Sequence, residues 1–481
     1  MKGFLVMSLV FLSALVVGAV LAWAAMVGAA KREEETSRMW RTAARDLGLT
    51  FSERNGRRTL EGLLNGVPVH AEYACVARGE GDTRTIVDTL TFSAGGDGRI
   101  PMGLSVRKDS TLFGVRDAEL GDESFDERVE LLRVDAFVCA ALSSAARRQA
   151  VSLVEAGGEV RQGKIFRRTG GGETCTLAEL VQTLQSFAKL ARLLEVTGES
   201  LHGRLASNAT SDPSSGVRLQ NLRCLVDPAT RAPAALVASV ARPLLADERT
   251  SVRLLAAKQL GSEGVPLLLA IAASEGSRSS LRVDALGALH EQSAPELRGL
   301  LPTLLASSTP AVACAALSVI AARRLEELSS DVERCAASEH ETVRASAATT
   351  LTALSPEQAE GVLLALLEDT SAEVLRASVQ GLGLVGSVAA VEPLLPLARA
   401  LVPSPLRHAA RDAVARIQSR LAPVGAGALT LVSDDDLAGA VALAESSSES
   451  AGALSLLEPD AAAADVAAVG GDASRGPRPP G

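Results

Sequence analysis

The feature of the sequence that most constrains its fold is an apolar pattern that recurs about every 31 residues in the carboxyl-terminal half. Each copy starts with valine or leucine, usually followed by arginine, and has a small residue four positions and an apolar residue eight positions after the start. Residues at this spacing share one face of a helix, so the pattern predicts six amphipathic helices. The starts are separated by 29, 31, 31, 31 and 32 residues and are Val252, Leu281, Val312, Val343, Val374 and Leu406.

Other apolar segments lie between these copies, and several of them begin with proline. At Ser355 and Pro356, for example, an N-cap residue precedes a proline at the first helical position, where its missing N–H costs nothing. Two helices per unit at a fixed period are typical of an α-solenoid, in which each unit buries its apolar face only against its neighbours. The sequence therefore predicts an all-α solenoid over residues 230–420.

The best copy, residues 247–261 with the sequence DERTSVRLLAAKQLG, resembles the HEAT-like repeats first described in phycobilisome lyases, whose core reads D-x4-V-R-x2-A-A-x2-L-G. The resemblance covers the predicted solenoid and implies stacked helical hairpins. Two copies lose the arginine, at Ala313 and Leu375, and an aspartate five places before the start occurs only at Asp247 and Asp369. We therefore expect any Arg–Asp ladder between the repeats to be interrupted.

Composition divides the chain further. All twelve aromatic residues lie at or before Phe187, and residues 421–481 carry a net charge of −7 in an Ala-, Gly- and Ser-rich background. Such an acidic, low-complexity tail is typical of disorder. The predicted fold class is multidomain, with an amino-terminal transmembrane helix, a small α+β domain, the HEAT-like solenoid and a disordered tail. The expected boundaries are 1–32, 33–229, 230–420 and 421–481.

Residues 3–30 contain neither a charge nor a proline. About 20 such residues suffice to span a bilayer, so the sequence predicts a membrane anchor. Basic residues after the stretch, beginning with Lys31 and Arg32, place the bulk of the chain in the cytoplasm of a single-pass membrane protein. The alternative is a signal peptide cleaved near Ala22–Trp23–Ala24, which would make the protein periplasmic or secreted.

The predicted α+β domain begins with an amphipathic helix from Glu33 to Leu47. Asn65 and Gly66 separate two strand-like runs and favour a tight hairpin, and further strands are expected at residues 83–92 and 100–107. Two helices are expected at residues 139–156 and 176–197, the second opened by a capping box of Thr176 and Glu179.

Candidate chemistry is sparse. The six cysteines form no CxxC pair, the TGGGET segment at 169–174 lacks the lysine of a phosphate loop, and His70 and His202 have no partner at ligand spacing. The FDER segment at 125–128 is interpreted as a solvated turn, and Asn208 opens an NAT glycosylation sequence. The dipeptides His290–Glu291 and His340–Glu341 occupy different repeat positions. The sequence thus predicts no catalytic, cofactor-binding or metal-binding residues and no cofactor.

The leading functional hypothesis is a non-enzymatic, membrane-anchored scaffold or adaptor that binds a protein partner on its solenoid. Nucleic acid is not an expected partner, because the repeats lack net positive charge and stacking aromatics. One alternative is an enzyme or enzyme subunit, a lyase or metal-dependent hydroxylase, that uses the solenoid cavity. Another is a secreted or periplasmic structural protein.

Overall fold

A computed structural model describes residues 2–78, 85–108, 118–170, 175–400, 404–421, 430–431 and 441–442, with the side chains of 2–18, 75–78, 85–87, 356, 421, 430–431 and 441–442 outside the description. An antiparallel sheet with its helices occupies the amino-terminal part, and stacked helix pairs follow it. The predicted disordered tail falls almost wholly outside the described residues.

The strands of the large sheet are β1 (Thr50–Arg54), β2 (Arg57–Leu64), β3 (Val67–Arg78), β4 (Thr85–Gly95), β5 (Val106–Lys108), β6 (Val129–Leu131), β7 (Gly158–Arg161) and β8 (Lys164–Gly170). The helices up to the first predicted repeat are α1 (Lys2–Leu47), α2 (Glu123–Asp126), α3 (Ala136–Ala141), α4 (Ser144–Glu155), α5 (Leu177–Leu194), α6 (Gly198–Ser211), α7 (Ser215–Val226) and α8 (Ala234–Leu244). The remaining helices are α9 (Thr250–Gln259), α10 (Val265–Ala273), α11 (Ser279–Glu291), α12 (Leu297–Leu305), α13 (Pro310–Arg323), α14 (Ser329–Cys335), α15 (Glu341–Leu354), α16 (Pro356–Ala365), α17 (Ala372–Val385), α18 (Val391–Ala398) and α19 (Pro405–Leu421).

Helix α1 corrects the prediction for the amino terminus. Among the described residues, no helix has a stretch long and apolar enough to cross a membrane. In α1 the uncharged residues with described side chains are 19–30, and a charged run begins at Lys31. This stretch is shorter than the roughly 20 apolar residues that span a bilayer. The predicted membrane anchor at residues 3–30, the transmembrane element of the fold class and the single-pass membrane localisation are therefore wrong on this finding.

The carboxyl-terminal part of α1 matches the predicted amphipathic helix. It ends at Leu47, and Gly48 follows with a φ of +66°. Trp40 is only 2 % exposed and packs into the core of the sheet domain. The helix therefore contributes its apolar face to the first domain.

The sheet is antiparallel with strand order β1-β2-β3-β4-β8-β7-β5-β6. Asn65 and Gly66 form the predicted hairpin turn, both with positive φ, which that turn requires. On the covered face Ala71 pairs with Phe92, whose ring meets that of Phe187 on α5 edge-on with centroids 6.2 Å apart. The two helices α1 and α5 cover this face.

Two predicted segments are shorter than expected. Of residues 100–107 only the end enters the sheet, as β5. The helix expected at 139–156 is two helices, α3 and α4, because Ser143 starts a new helix and accepts a hydrogen bond from the Ala146 N–H. The capping box of Thr176 and Glu179 forms as predicted.

The repeat pattern is confirmed in the helix stack. All six predicted starts lie on the second helix of a pair, and these second helices pack on one another in series: α9, α11, α13, α15, α17 and α19. The small residues four positions after each start are fully buried, which lets neighbouring helices approach closely. They are Ala256, Ala285, Ala316, Ala347, Ser378 and Ala410.

The stack begins one helix earlier than the sequence pattern suggested. Helix α7 packs on α9, its Val217 is fully buried, and Arg218 follows it as in the other copies. Sequence reasoning missed this copy because Asn221 occupies the small-residue position and the spacing to Val252 is 35 residues.

Two hydrophobic clusters share helix α9. One extends from Trp40 to Leu260 and the other from Leu254 to Ile417. Val252 of α9 belongs to the first cluster and Leu254 to the second. The helix thus joins the sheet domain to the rest of the stack.

Candidate interaction surface

The arginine of the repeat pattern has a structural task. Arg218, Arg253 and Arg344 each fold back so that Nη1 donates to the carbonyl oxygen six residues earlier, at 2.8, 2.7 and 2.8 Å. The guanidinium thereby fixes the turn that leads into its own helix. In Arg218 and Arg344 the Nε and Nη2 atoms, on the other edge of the guanidinium, reach the next repeat.

Two of these arginines bind an aspartate of the following repeat. Arg218 Nε lies 2.7 Å from Asp247 Oδ2, and Arg344 Nε lies 2.6 Å from Asp369 Oδ2. Hydrogen bonding to Arg344 lowers the pKa of Asp369, more than its partial burial raises it. Arg282 instead donates to the carbonyl oxygen of Ala272 at 2.9 Å. The Arg–Asp ladder is therefore interrupted, as the sequence predicts.

A further member of the ladder lies in the sheet domain. Arg147 of α4 is 3 % exposed and forms two parallel hydrogen bonds with Asp212, at 2.8 and 2.9 Å, while its Nε donates to Asp122 at 2.7 Å. Burial opposes ionisation of Asp122, but hydrogen bonds from Ser124 and Arg147 lower its pKa overall. Because Asp212 stands five residues before Val217, this bridge extends the ladder from the stack into the sheet domain.

At the carboxyl ends of second helices, arginines satisfy carbonyls that a helix leaves unpaired. Arg323 of α13 donates to the carbonyl oxygens of Leu289 and Ala294, both at 3.0 Å. Arg420 of α19 does the same for Gly383 and Gly386 of the preceding pair. Arginines thus bridge some successive second helices at their amino ends and others at their carboxyl ends.

Three positions on the exposed side of each central second helix carry no charge. These positions follow each repeat start by three, six and ten residues on α13, α15 and α17, and their side chains are exposed or half-buried. Arg376 lies beside them on α17. We call this surface the neutral face; it consists of Ala315, Ser318, Ala322, Ser346, Thr349, Ala353, Ala377, Gln380 and Leu384.

Charges return at both ends of the neutral face. Asp284 and Glu291 occupy the same positions on α11, and Asp412 and Arg416 occupy them on α19. A cavity of about 260 Å³ lies at the α19 end, between α17 and α19. Its lining includes Leu384, which is 56 % exposed, together with Asp412 and Arg416.

The first helices of the pairs present a different surface. Exposed charged residues occur on α12, α14, α16 and α18, for example Arg298, Arg334, Glu357 and Glu392. Charged exposed faces are the usual form of a solvated helix. The absence of charge from nine positions on α13, α15 and α17 distinguishes the neutral face from these helices.

The largest groove described, about 710 Å³, lies in the sheet domain beside α5. Glu179 lines it, but its carboxylate accepts hydrogen bonds from the backbone N–H and hydroxyl of Thr176, at 2.8 and 2.9 Å. These hydrogen bonds lower the pKa of Glu179. The carboxylate is therefore committed to the cap of α5.

The candidate residues from the sequence lie apart. His70 is on β3 beside Glu72, with Nε2 and Oε2 3.5 Å apart, and His202 Nε2 lies 2.8 Å from the carbonyl oxygen of Thr230. Asp126 of the FDER segment is buried and accepts the N–H groups of Leu120 and Gly121 at 3.1 and 2.8 Å, so this segment is not the solvated turn that was predicted.

The histidine–glutamate dipeptides also occupy separate places. Arg323 Nε donates to His290 Nδ1 at 3.3 Å near the end of α11, whereas His340 is exposed and precedes α15. In the part of the chain that the structure describes, no three His, Cys, Asp or Glu side chains are grouped so that they could hold a metal ion. Residues 171–174 of the TGGGET segment are outside the described residues.

A family model described as HEAT repeats matches residues 332–415, which include α15 and α17 of the neutral face. This match agrees with the repeat pattern and identifies the carboxyl-terminal region as HEAT-like. No curated protein matches the chain.

Two solved structures match part of this chain. One is the complex of CpcE and CpcF of phycocyanin lyase from Nostoc sp. PCC7120, at 17 % identity and a TM-score of 0.28, covering 46 % of this chain and 95 % of that one. The other is an engineered protein at 18 % identity and a TM-score of 0.23, covering 47 % of this chain and 92 % of that one.

Proposed function

We propose that this protein is a non-enzymatic scaffold that binds a protein partner on the neutral face of its HEAT-like solenoid. The observation that carries the proposal is the group of nine uncharged, mostly small side chains on three successive second helices, α13, α15 and α17. A partner that covers these nine positions displaces water from few polar groups and desolvates no charge among them, while exposed Arg376 beside them needs an acidic group of the partner or access to solvent.

The ends of the face support a defined orientation of the partner. Asp284 and Glu291 stand at one end and the Asp412–Arg416 pair at the other, beside the cavity that Leu384 lines. Charges around an uncharged centre match the usual arrangement of protein interfaces, in which the rim is polar and the core is depleted of charge. An apolar side chain of the partner fits the cavity between α17 and α19.

A charge placed at the centre of the neutral face tests the proposal. In Thr349→Arg the guanidinium would be desolvated by a bound partner without a counter-charge, so we expect at least a tenfold loss of affinity. The matched control is Gln358→Arg, an exposed position on α16, the first helix of the next pair. Affinity capture with full-length wild type identifies the stoichiometric partner, and binding isotherms then compare the three proteins.

Circular dichroism and melting temperature establish that both variants fold like wild type. Equal binding of one partner by wild type, Thr349→Arg and Gln358→Arg would contradict the assignment of the neutral face. Failure of the full chain to retain any protein in stoichiometric amount from its native cells would contradict the scaffold function itself.

A further inference from the structure

Two cysteine thiols that are 85 residues apart in the sequence meet where the sheet domain joins the helix stack. Cys139 lies on α3 and Cys224 on α7, and their Sγ atoms are 3.4 Å apart. A disulfide bond requires a separation of about 2.05 Å. Formation of the bond therefore requires the two sulfur atoms to approach by a further distance of about 1.4 Å.

Side-chain hydrogen bonds hold the backbone at both cysteines, one of them from a residue distant in sequence. Buried Asn208 of α6 donates from Nδ2 to the carbonyl oxygens of Cys139 and Ala140, at 3.0 and 3.3 Å. Thr230 donates its hydroxyl to the carbonyl oxygen of Cys224 at 2.6 Å. The contact between the thiols is therefore fixed by the packing of three helices and does not depend on a surface loop.

The two thiols differ in access and in acidity. Cys139 is fully buried, whereas Cys224 is partly exposed. The hydrogen bond with Cys139 lowers the pKa of Cys224, although burial and the nearby carboxylates Asp135 and Asp227 act in the opposite direction. The same hydrogen bond, together with burial, raises the pKa of Cys139. Cys224 is thus the thiol that solvent reaches and that ionises first.

We propose that Cys139 and Cys224 are a modification site that a hydroperoxide converts into a reversible disulfide. The Cys224 thiolate attacks one oxygen of the hydroperoxide, which stays on sulfur as sulfenic acid; the O–O bond breaks, and the other oxygen takes a proton from solvent and leaves as water, or as an alcohol from an organic hydroperoxide. The sulfur of Cys139 then attacks the resulting sulfenic acid. Its S–H proton leaves with the hydroxide as water, so the two thiols lose two electrons and the peroxide gains them.

The disulfide would join α3 of the sheet domain covalently to α7, the first helix of the stack. Both helices already pack on each other, so the bond closes a long loop of the unfolded chain without a new fold. We therefore expect the oxidised protein to melt at a higher temperature than the reduced one. A dithiol reductant reverses the change.

Peptide mapping of the full-length protein tests the site. The chain is treated with hydrogen peroxide, blocked with N-ethylmaleimide in denaturant, and digested with trypsin without reductant. We expect a disulfide-linked pair of the peptides 134–147 and 224–231, absent before peroxide and lost after dithiothreitol. The variant Cys314→Ser is the matched control and should form the same pair.

In Cys139→Ser the resolving thiol is missing, so dimedone should trap the sulfenic acid on Cys224. That variant replaces a buried residue and could fold poorly. The peptide map of the wild-type protein therefore tests the disulfide by itself. Maleimide on both peptides at a peroxide dose that oxidises Cys314 would overturn the proposal. So would sulfinic acid on Cys224 without a linked pair.

Discussion

At the scale of single residues, the best-supported interactions are arginines whose guanidinium groups connect neighbouring elements. Arg147 combines low exposure with three carboxylate contacts, two to Asp212 and one to Asp122. Such a buried pair adds little stability compared with a well-packed apolar pair, but removal of one partner leaves a charge without compensation. We therefore expect the bridge mainly to specify how α4 packs against the carboxyl end of α6.

Arg147→Ala should destabilise the protein by about 3–5 kcal/mol, because Asp212, whose side chain is 1 % exposed, would stay buried without a counter-charge. The adjacent Arg148 is exposed, so Arg148→Ala should change the free energy of unfolding by less than about 0.5 kcal/mol. Thermal unfolding followed by circular dichroism compares them. Similar melting temperatures for the two variants would refute the role of Arg147.

Asp369 makes the stability of the stack depend on pH in a defined direction. Its pKa is lowered below the ordinary value of 3.8 in the folded state, so its ionised form contributes stability that is complete above 3.8 and is lost as the pH falls through the lower folded value. Asp369→Asn should cost about 1–3 kcal/mol at pH 7, when the hydrogen bonds to charged Arg344 weaken.

The difference in melting temperature between wild type and Asp369→Asn should shrink as the pH falls from 5 to about 2.5, because wild-type Asp369 becomes protonated. Exposed Glu368 offers the control Glu368→Gln, which should follow the wild-type curve. A gap of constant size between wild type and Asp369→Asn over this range would show that the charge of Asp369 is not the cause.

At the scale of elements, the α19 end of the neutral face depends on how closely helices α17 and α19 approach each other. A Cβ added at Gly383 of α17 would lie 2.9 Å from Cα and 3.0 Å from Cβ of Ala413 on α19. The two helices can keep this spacing only because residue 383 lacks a side chain. The cavity beside Leu384 depends on the same spacing.

Gly383→Ala should therefore destabilise the protein by about 1–3 kcal/mol, since overpacking outweighs the gain in helix propensity. The matched substitution Gly361→Ala on α16 has no heavy atom within 4 Å of the added Cβ and should stabilise the helix by about 0.5–1 kcal/mol. Opposite shifts of melting temperature are expected. If both shifts have the same sign, the spacing of α17 and α19 does not limit packing.

The elements that the sequence predicted correctly are those specified by residues close together in the chain. The repeat starts, the hairpin at Asn65–Gly66 and the capping box of Thr176 depend on residues within a few positions of one another. The neutral face follows from the same periodicity, since its positions are counted from each repeat start, and it was available in the sequence. The bridge of Arg147 to Asp212 and the contact of Cys139 with Cys224 were not, because they join segments 65 and 85 residues apart.

At the scale of the whole molecule, helix α9 couples two cores that otherwise have separate members. Val252 and Ala256 face the first cluster, and Leu254 and Ala257 face the second. In a repeat stack, each unit is stabilised by its immediate neighbours, so loss of a contact weakens most the core to which that side chain belongs.

Leu254→Ala should cost about 2–5 kcal/mol and should raise amide hydrogen exchange in α10–α13 more than in strands β2–β4. Val252→Ala is the companion variant on the other side of α9, with its larger effect expected in the sheet domain. Exchange rates that rise equally in both regions for both variants would show that the two cores unfold as one unit.

Buried Trp40 has a spectroscopic consequence. Its indole belongs to the first cluster, while no tryptophan, tyrosine or phenylalanine occurs after Phe187. Fluorescence excited near the red edge of indole absorbance therefore comes from Trp23 and Trp40 and reports on the amino-terminal half. The far-ultraviolet signal also includes the helices of the stack, so the two signals together show, without an attached label, whether the two halves unfold at one temperature.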